Sequence, residues 1–292
     1  MINLLSVSIL WAFSFSLIKG ELSGVDAGFV AFFRLLLSFV VFAPFLPALW
    51  RRGRAAFLAA FFSGMVQFGL MYLLYINSFK WLTAWQVALF TVSTPLYVSL
   101  MYDLYNRRLN SRNLLAAIIA VTGTGAIVYE PGKSYALTLG FFMIQGANLS
   151  FAAGQVAYKI WRNKNRETGD ASPMGAFFLG AVSLTLVYVL AFGEIVPRGL
   201  ETGQWLTLIY LGLVASGLGF FLWNRGATLV NAGTLAVFNN LKIPLAITVA
   251  LVFFGEKADI ARLTFGGLFV LGALWLTEKK VLYKPGKIDA RK

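Results

Sequence analysis

Two basic residues lie inside long apolar stretches of this 292-residue sequence, and their side chains are the ones best placed to do chemistry. Lys242 occurs in the segment NNLKIP (239–244), about ten residues from either end of its apolar stretch. An ammonium group at mid-bilayer costs about 2.5–3.5 kcal/mol on insertion scales, so it is expected to face a bundle interior or a wet cavity. Its four-carbon stem cannot cover the roughly 15 Å to the interface. We therefore expect Lys242 to act at a site, as the counter-ion of an anionic substrate or as a group that exchanges a proton.

Arg34 is the second of these residues, and it lies eight residues from one end of its stretch. At this depth its long side chain could reach the interface, pack against Phe32 and Phe33, or contact a ligand. The sequence leaves these three roles open.

Other polar side chains recur at helical spacing inside the apolar stretches. Gln145, Asn148 and Gln155 fall on one helical face, and Ser93 and Tyr97 share another. Such faces line a cavity in some membrane proteins. In others they form hydrogen bonds between helices, which contribute about 0.6 kcal/mol each. Both interpretations stay open for each residue.

An aromatic wall is predicted from Trp11 in the first stretch and Tyr72 in the third, with Gln67 nearby. These side chains suit a pocket for a ring that is apolar with a polar edge. The full set of candidate substrate-binding residues is Lys242, Asn239, Asn240, Asn148, Trp11, Tyr72, Gln67, Tyr97 and Arg34.

Two prolines occupy similar positions in two of the stretches, Pro95 in LFTVSTPL (89–96) and Pro244 in NNLKIP. A proline inside a helix lacks its N–H and clashes with the carbonyl four residues earlier, which frees the carbonyls of Thr91 and Asn240. Paired helix breaks in corresponding halves of a transporter point to a midplane binding site. The sequence therefore predicts helix breaks at Pro95 and Pro244, with a packed structural kink as the alternative.

Residue types that the sequence lacks exclude several kinds of catalytic site. Zero Cys and zero His remove disulfide frameworks, thiol chemistry, the usual zinc sites and His-based catalysis. All twelve carboxylates lie in loops or at the ends of apolar stretches, which leaves no carboxylate relay inside the membrane. No phosphate-binding loop pattern is present. We therefore expect no catalytic residue, metal or cofactor. A membrane-embedded enzyme or lipid-handling protein is the weakest alternative.

The elements that must position these side chains are apolar helices. The sequence is 59% hydrophobic and 13% charged, whereas about 25% of the residues of a soluble domain are charged. A helix that crosses a bilayer needs about 20 mostly apolar residues. The sequence contains ten such stretches, at approximately 2–18, 27–47, 55–76, 84–102, 112–129, 136–158, 174–192, 204–223, 232–254 and 262–277. It therefore predicts an all-α integral membrane protein with ten transmembrane helices.

The net charge of +13 is distributed unevenly over the loops. With the N-terminus in the cytoplasm, the inner loops and tail hold seventeen Lys and Arg residues and the outer loops hold six. This bias predicts that both termini are cytoplasmic. The basic residues near 278–292 are then expected to contact anionic membrane lipid, and nucleic acid is not an expected partner.

Ten stretches divide into two sets of five. Because five is odd, the second set must be inverted in the membrane relative to the first, as in many carriers. The expected organisation is a five-helix repeat over 1–133, an inverted five-helix repeat over 134–277, and a basic tail over 278–292. The one-residue difference between the ALF-to-Pro and AVF-to-Pro spacings around Pro95 and Pro244 is the local sign of this repeat.

The ten-stretch pattern, with an apolar run that ends in FFGEK (253–257) before a Gly-rich last helix, resembles the drug/metabolite transporter superfamily in its EamA branch. Within it, MVQFGLMYLL (65–74), LFTVSTPLYVSLMYDL (89–104), LVASGLGFFLWNRGAT (213–228) and NAGTLAVFNNLKIP (231–244) are similar to the bacterial biotin-uptake permeases, a group of carboxylate, amino acid and amine transporters. ILWAFSFS at the start of the chain fits the same group.

The resemblance implies import of biotin across the bacterial inner membrane by a secondary transporter that works by alternating access, without ATP. An exporter of amino acids, drugs or other small metabolites is the alternative, since it is common in the EamA branch. One departure concerns the ninth helix, where these permeases have a histidine before the proline and this chain has Lys242. The lysine keeps a cation for a carboxylate and weakens the expectation of proton coupling at this position.

Overall fold

A computed structural model describes residues 1–22, 24–78, 80–82, 84–129, 132, 138–165, 169–193, 195, 197, 199–253, 255 and 259–278. All regular structure in these ranges is helical. The predicted boundary between the repeats, at residues 133 and 134, lies outside the described residues, as do positions 279–292 of the predicted tail and most of the FFGEK segment.

The α-helices are α1 (Ile2–Glu21), α2 (Ala27–Phe42), α3 (Leu46–Trp50), α4 (Arg54–Gly64), α5 (Met71–Ser78), α6 (Ala84–Thr91), α7 (Thr94–Asn106), α8 (Ser111–Val128), α9 (Leu139–Lys164), α10 (Ala171–Phe192), α11 (Thr202–Tyr210), α12 (Gly219–Thr228), α13 (Ala232–Phe253) and α14 (Ile260–Glu278). A 3₁₀ turn, Ala43–Phe45, joins α2 to α3. Polar residues begin several of these helices. Asp26 accepts a hydrogen bond from the Phe29 amide at the start of α2, and Asn110 accepts one from the Asn113 amide at the start of α8.

By length and composition, eight helical stretches of the described chain could cross a membrane: Ala27–Trp50, Arg54–Ser78, Gln86–Asn106, Ser111–Val128, Ala171–Phe192, Thr202–Thr228, Ala232–Phe253 and Ile260–Glu278. They agree with eight of the ten predicted stretches. The other two predicted stretches are also helical, as α1 and α9. α9 is less apolar because it carries a row of amides and three basic residues in its last two turns, Lys159, Arg162 and Lys164.

The two prolines behave differently. Pro95 lies in the first turn of α7, directly after the helix is interrupted between α6 and α7. The predicted helix break at Pro95 is therefore present. α13 instead runs without interruption from Ala232 to Phe253, and the predicted break at Pro244 is wrong. An internal proline removes a single backbone hydrogen bond. The residues before it in α13 are almost all buried among α1, α7, α8 and α14, and this packing keeps the helix straight enough to continue.

Two π-helical segments were not predicted. Met65–Leu70 joins α4 to α5, and Leu211–Leu218 joins α11 to α12. A π segment shifts the hydrogen-bond register of a helix by one residue, leaves carbonyls free, and is frequent at functional sites. The first segment packs on α10 and the second packs on α2.

Helix contacts between the two halves of the chain come in corresponding pairs. α1 packs on α12 and α13, and α9 packs on α5 and α7. α2 contacts α10 and α8 contacts α14. The close contact of α4 with α10 depends on glycine, because a Cβ at Gly64 would lie 2.1 Å from the carbonyl oxygen of Phe177. The main apolar core takes residues from most of the helices, and α9, α10, α12 and α13 contribute about half of them.

Candidate substrate site

A cluster of aromatic rings occupies the centre of this core. The Trp11 ring centroid lies 4.9 Å from that of Trp223, 5.6 Å from that of Phe220 and 6.1 Å from that of Phe151. Tyr72 meets Phe220 edge to face at 5.9 Å. The five rings come from α1, α5, α9 and α12, and we call them the aromatic cluster. Contacts of this kind fix the rings relative to one another and form a rigid apolar wall.

The second π segment holds Trp11 in this cluster. The Trp11 indole Nε1 donates a hydrogen bond of 2.8 Å to the carbonyl oxygen of Ala215, which lies in Leu211–Leu218. Since α1 contributes Trp11 and the π segment supplies the acceptor, two distant parts of the chain are needed to orient one ring. Trp11 and Tyr72, which the sequence predicted to form an aromatic wall, are therefore connected through other residues that lie between them.

Lys242 projects from α13 onto the aromatic cluster. Its Nζ lies 5.6 Å from the ring centroid of Trp11 and 5.9 Å from that of Phe151. The electron-rich faces of these rings attract the ammonium group. The side chain is partly buried, and within the described ranges no carboxylate or carbonyl oxygen pairs with Nζ. Among the described residues the cation is thus held beside the cluster by its contacts with the two rings, without an anionic partner.

Arg34 approaches the cluster from the side of Tyr72. Its Nε donates a hydrogen bond of 3.1 Å to Ser216 Oγ, and its guanidinium carbon lies 4.9 Å from the Tyr72 ring centroid. Tyr72 Oη lies 3.4 Å from the same Ser216 Oγ. Arg34 is only 5% exposed, so of the three roles left open by the sequence, reaching the interface is excluded. No acidic side chain of the described chain pairs with it.

Asn239 lies in a closed group of polar side chains behind the cluster. Its amide exchanges hydrogen bonds with Gln155, at 3.2 and 3.3 Å, and also donates to the carbonyl oxygen of Leu235. Gln155 Oε1 in turn accepts from the Trp223 indole at 3.0 Å. Asn239 and Gln155 are buried and satisfied by each other, so in this conformation they position Trp223.

Asn240 closes the break between α6 and α7 from the side of α13. Its Nδ2 donates to the carbonyl oxygen of Val92 at 2.8 Å and to Thr124 Oγ1 at 2.9 Å. Its Oδ1 is buried without a hydrogen-bond partner among the described residues. The amide therefore connects α13 to α7 and α8 and keeps one unused acceptor.

Asn148 and Tyr97 form hydrogen bonds at the same helix break, between α6 and α7. Asn148 Nδ2 donates to the carbonyl oxygen of Phe90 at 2.9 Å and to Ser93 Oγ at 3.1 Å. Tyr97 Oη donates to Gln145 Oε1 at 2.8 Å. The carbonyl of Phe90 is thus satisfied by amides of α9, which is the interhelical interpretation that the sequence left open. The carbonyl of Thr91, which the sequence predicted to be freed, accepts a hydrogen bond of 2.8 Å from Thr94 Oγ1.

Gln67 forms its hydrogen bonds with Asn224, outside the polar groups that contact the aromatic cluster. Its Nε2 donates to Asn224 Oδ1 at 2.9 Å, Asn224 Nδ2 returns a longer contact of 3.4 Å to Gln67 Oε1, and both residues are fully buried. The pair joins the first π segment to α12. Neither amide has a free group that faces a substrate in this conformation.

Four site residues were missed from the sequence: Phe151, Phe220, Trp223 and Ser216. The three aromatic residues belong to a total of 46 Phe, Tyr and Trp residues, so composition gives no reason to select them. Ser216, which connects Arg34 with Tyr72, was not selected from the sequence either. The GLVASGLG segment around Ser216, next to an aromatic run, was the available signal.

The sequence and the fold of this chain are similar to those of known proteins. The EamA-like transporter family model matches residues 1–129 and 138–278. The chain is 43% identical to the "Probable biotin transporter" of Pseudomonas aeruginosa over 94% of this chain and 96% of the relative. It is 36% identical to the "Biotin transporter" of Escherichia coli K12 over 95% of this chain and 93% of the relative.

The same identity and coverage hold for the "Biotin transporter" of Salmonella typhimurium. A protein crystal structure with 15% sequence identity matches 95% of each chain with a TM-score of 0.77, which shows a shared fold. The apolar helices and the family match together identify the chain as a multi-pass membrane transporter. From the family match over almost the whole length, this chain belongs to the EamA-like transporter family.

Proposed function

We propose that this protein is a secondary transporter that imports biotin across the bacterial inner membrane. The observation that carries the proposal is Lys242, a cation deep in a helix bundle that rests on aromatic rings and lacks an anionic partner in the described chain. The names of the relatives from Pseudomonas aeruginosa and Escherichia coli support biotin as the substrate. Biotin combines a carboxylate, an apolar bicycle and a polar ureido edge, and the site offers a group for each.

Lys242 pairs with the carboxylate of biotin in this proposal. A charged hydrogen bond inside a protein is stronger than one in water because the local dielectric is lower. The aromatic cluster covers the bicycle, as apolar walls do in most small-molecule sites. Asn239, Asn240, Asn148 and Tyr97 support the walls and helix breaks around it, and their own contacts with substrate require a rearrangement.

The membrane arrangement in this proposal has ten spanning helices in two inverted repeats, 1–133 and 134–277, with a cytoplasmic tail, 278–292. Recurring helix contacts, the two π segments at corresponding places, and the separate family matches on each side of residue 130 support it. The excess of Lys and Arg in the inner loops supports cytoplasmic termini. Rocking of the two halves around the aromatic cluster then exposes the site to each side in turn.

Uptake of labelled biotin into proteoliposomes tests the proposal, with unlabelled biotin, desthiobiotin and several amino acids as competitors. We expect saturable uptake that biotin and desthiobiotin inhibit and amino acids do not. Equal inhibition by unrelated amino acids, or no saturable uptake, would reject biotin as the substrate.

Direction is tested separately, because a symmetric fold does not determine it. Expression in a biotin-auxotrophic bacterium without its own biotin transporter should restore growth at low external biotin. Lys80→Gln changes an exposed lysine and is the matched control for a substitution of Lys242. The Lys80→Gln variant should restore growth as well as the native protein does. Efflux of amino acids without growth on low biotin would favour the exporter.

A further inference from the structure

Arg34 and Ser216 form a compact polar group with Tyr72 of the aromatic cluster, whereas Lys242 lies over Trp11 and Phe151, two other rings of the cluster. Arg34 Nε contacts Ser216 Oγ at 3.1 Å, and Tyr72 Oη contacts it at 3.4 Å. The Tyr72 ring touches Phe220, and Phe220 touches Trp11, over which Lys242 lies. The apolar rings thus separate two cationic ends of one site.

The group has more hydrogen-bond donors than acceptors. A guanidinium carries five N–H donors and no acceptor, and one of them, on Nε, is used by Ser216. Ser216 Oγ accepts that bond, and Ser216 and Tyr72 each bring a hydroxyl proton of which their mutual contact uses one. Among the described residues, four N–H donors and one O–H donor of this group are therefore left without an acceptor oxygen.

Burial strengthens a hydrogen bond between this group and an acceptor oxygen. Arg34 is 5% exposed, Tyr72 is 8% exposed and Ser216 is fully buried, so little water reaches the group. A buried cation without an anionic partner is costly inside a membrane and points to a functional use. The planar guanidinium, fixed by Ser216 and by the Tyr72 ring, favours a planar acceptor whose lone pairs lie in one plane.

We infer that this group binds the carbonyl oxygen of the ureido ring, while Lys242 binds the carboxylate. The inference rests on the proposed function and assigns the two ends of the substrate to the two cations. A single carboxylate neutralises only one of them. The ureido oxygen is neutral but strongly polarised and accepts several hydrogen bonds, so it satisfies the second end without adding a charge. The site therefore selects molecules with a carboxylate at one end, an apolar body, and a carbonyl acceptor at the other end.

Competition between biotin and 2-iminobiotin tests this assignment, with dissociation constants measured on the purified protein. In 2-iminobiotin a protonated imino group replaces the ureido oxygen, so it removes the acceptor and brings a positive charge towards Arg34. We expect the native protein to prefer biotin strongly. Arg34→Gln should weaken biotin binding roughly 10- to 100-fold, the range for a lost charged hydrogen bond, and 2-iminobiotin binding far less. Lys242→Met should weaken both ligands equally, because both keep the carboxylate.

Each outcome of this experiment is decisive. If Arg34→Gln leaves the ratio of the two dissociation constants unchanged, Arg34 does not read the ureido oxygen. If it abolishes instead the preference for biotin over biotinol, which lacks the carboxylate, then Arg34 binds the carboxylate and the assignment is reversed. If Arg34→Gln yields no folded protein, Tyr72→Phe is tested instead. It should reduce the preference for biotin over 2-iminobiotin by a smaller factor. Failure of the native protein to bind biotin at all would reject the proposed function rather than this assignment.

Discussion

Replacement of Lys242 by methionine separates binding from stability more clearly than any other change in this chain. Methionine has nearly the same length and volume as lysine and carries no charge. The ammonium group makes contacts only with the Trp11 and Phe151 rings in the described part of the chain, so the change breaks no recorded hydrogen bond or ion pair. The variant should therefore keep the fold and lose only the attraction for an anion.

The size of the effect on binding follows from that geometry. A hydrogen bond between charged partners contributes about 1.5–3 kcal/mol, which corresponds to roughly 10- to 100-fold in the dissociation constant. Two unit charges 4 Å apart at an effective dielectric constant of 20 attract each other by about 4 kcal/mol, which sets an upper limit. We expect Lys242→Met to weaken biotin binding within this range. Binding of biotinol, in which a hydroxyl replaces the carboxylate, should change less than about threefold.

Lys242→Met should increase the stability of the protein, although it weakens biotin binding. A lysine at mid-bilayer costs about 2.5–3.5 kcal/mol, and a cation–π contact of this kind returns about 0.5–2 kcal/mol. The remainder predicts that Lys242→Met raises the unfolding free energy by about 0.5–3 kcal/mol, which thermal denaturation in detergent or nanodiscs would detect.

Isothermal titration of both ligands, with Lys80→Gln as the exposed-lysine control, provides the binding assay. Equal losses for biotin and biotinol would show that Lys242 shapes the site without pairing with the carboxylate. A loss of stability would show that the lysine has a structural partner, and the reasoning from an unneutralised cation would be refuted.

Three further changes test the packing around the site. Gln67→Leu alone should destabilise the protein by about 1–3 kcal/mol, because Asn224 is left buried and unpaired, and adding Asn224→Leu should recover part of the loss in a denaturation cycle. Gly64→Ala should prevent correct packing of α4, whereas Gly125→Ala, where no atom lies within 4 Å, should leave thermal stability unchanged or slightly higher. Lys159→Ala should lower thermal stability by about 1–3 kcal/mol, because the ammonium caps carbonyls at the end of α12, and Lys159→Arg should restore part of it.

The sequence alone was sufficient for the helical class of the fold and for the position of Lys242. Both depend on hydrophobicity, which acts over twenty residues and tolerates local errors. It was insufficient for Pro244, because the effect of one proline depends on how well the rest of the helix is packed. α13 is buried along its first half, and its neighbours keep it continuous. α6 ends before Pro95, where amides from α9 and α13 satisfy the freed carbonyls.

The roles of individual amides also required the structure. Asn239, Asn148 and Gln67 were predicted to contact substrate because polar groups in apolar helices are scarce and expensive. That argument identifies groups that need partners, and it does not say whether the partner is a ligand or another helix. Asn148 and Gln67 have helix partners that satisfy them, whereas Arg34, for which the sequence left three roles open, is the group whose donors exceed its acceptors.

The π segment Leu211–Leu218 explains why helical spacing in the sequence did not predict that Ser216 lies beside Arg34. Helical spacing of 3.6 residues assigns side chains to faces only while the helix keeps its register, and a π segment rotates everything that follows it. Ala215 turns its carbonyl towards the Trp11 indole, and the next residue, Ser216, turns its hydroxyl towards Arg34. One segment of altered register therefore orients both the Trp11 ring and the Arg34 side chain.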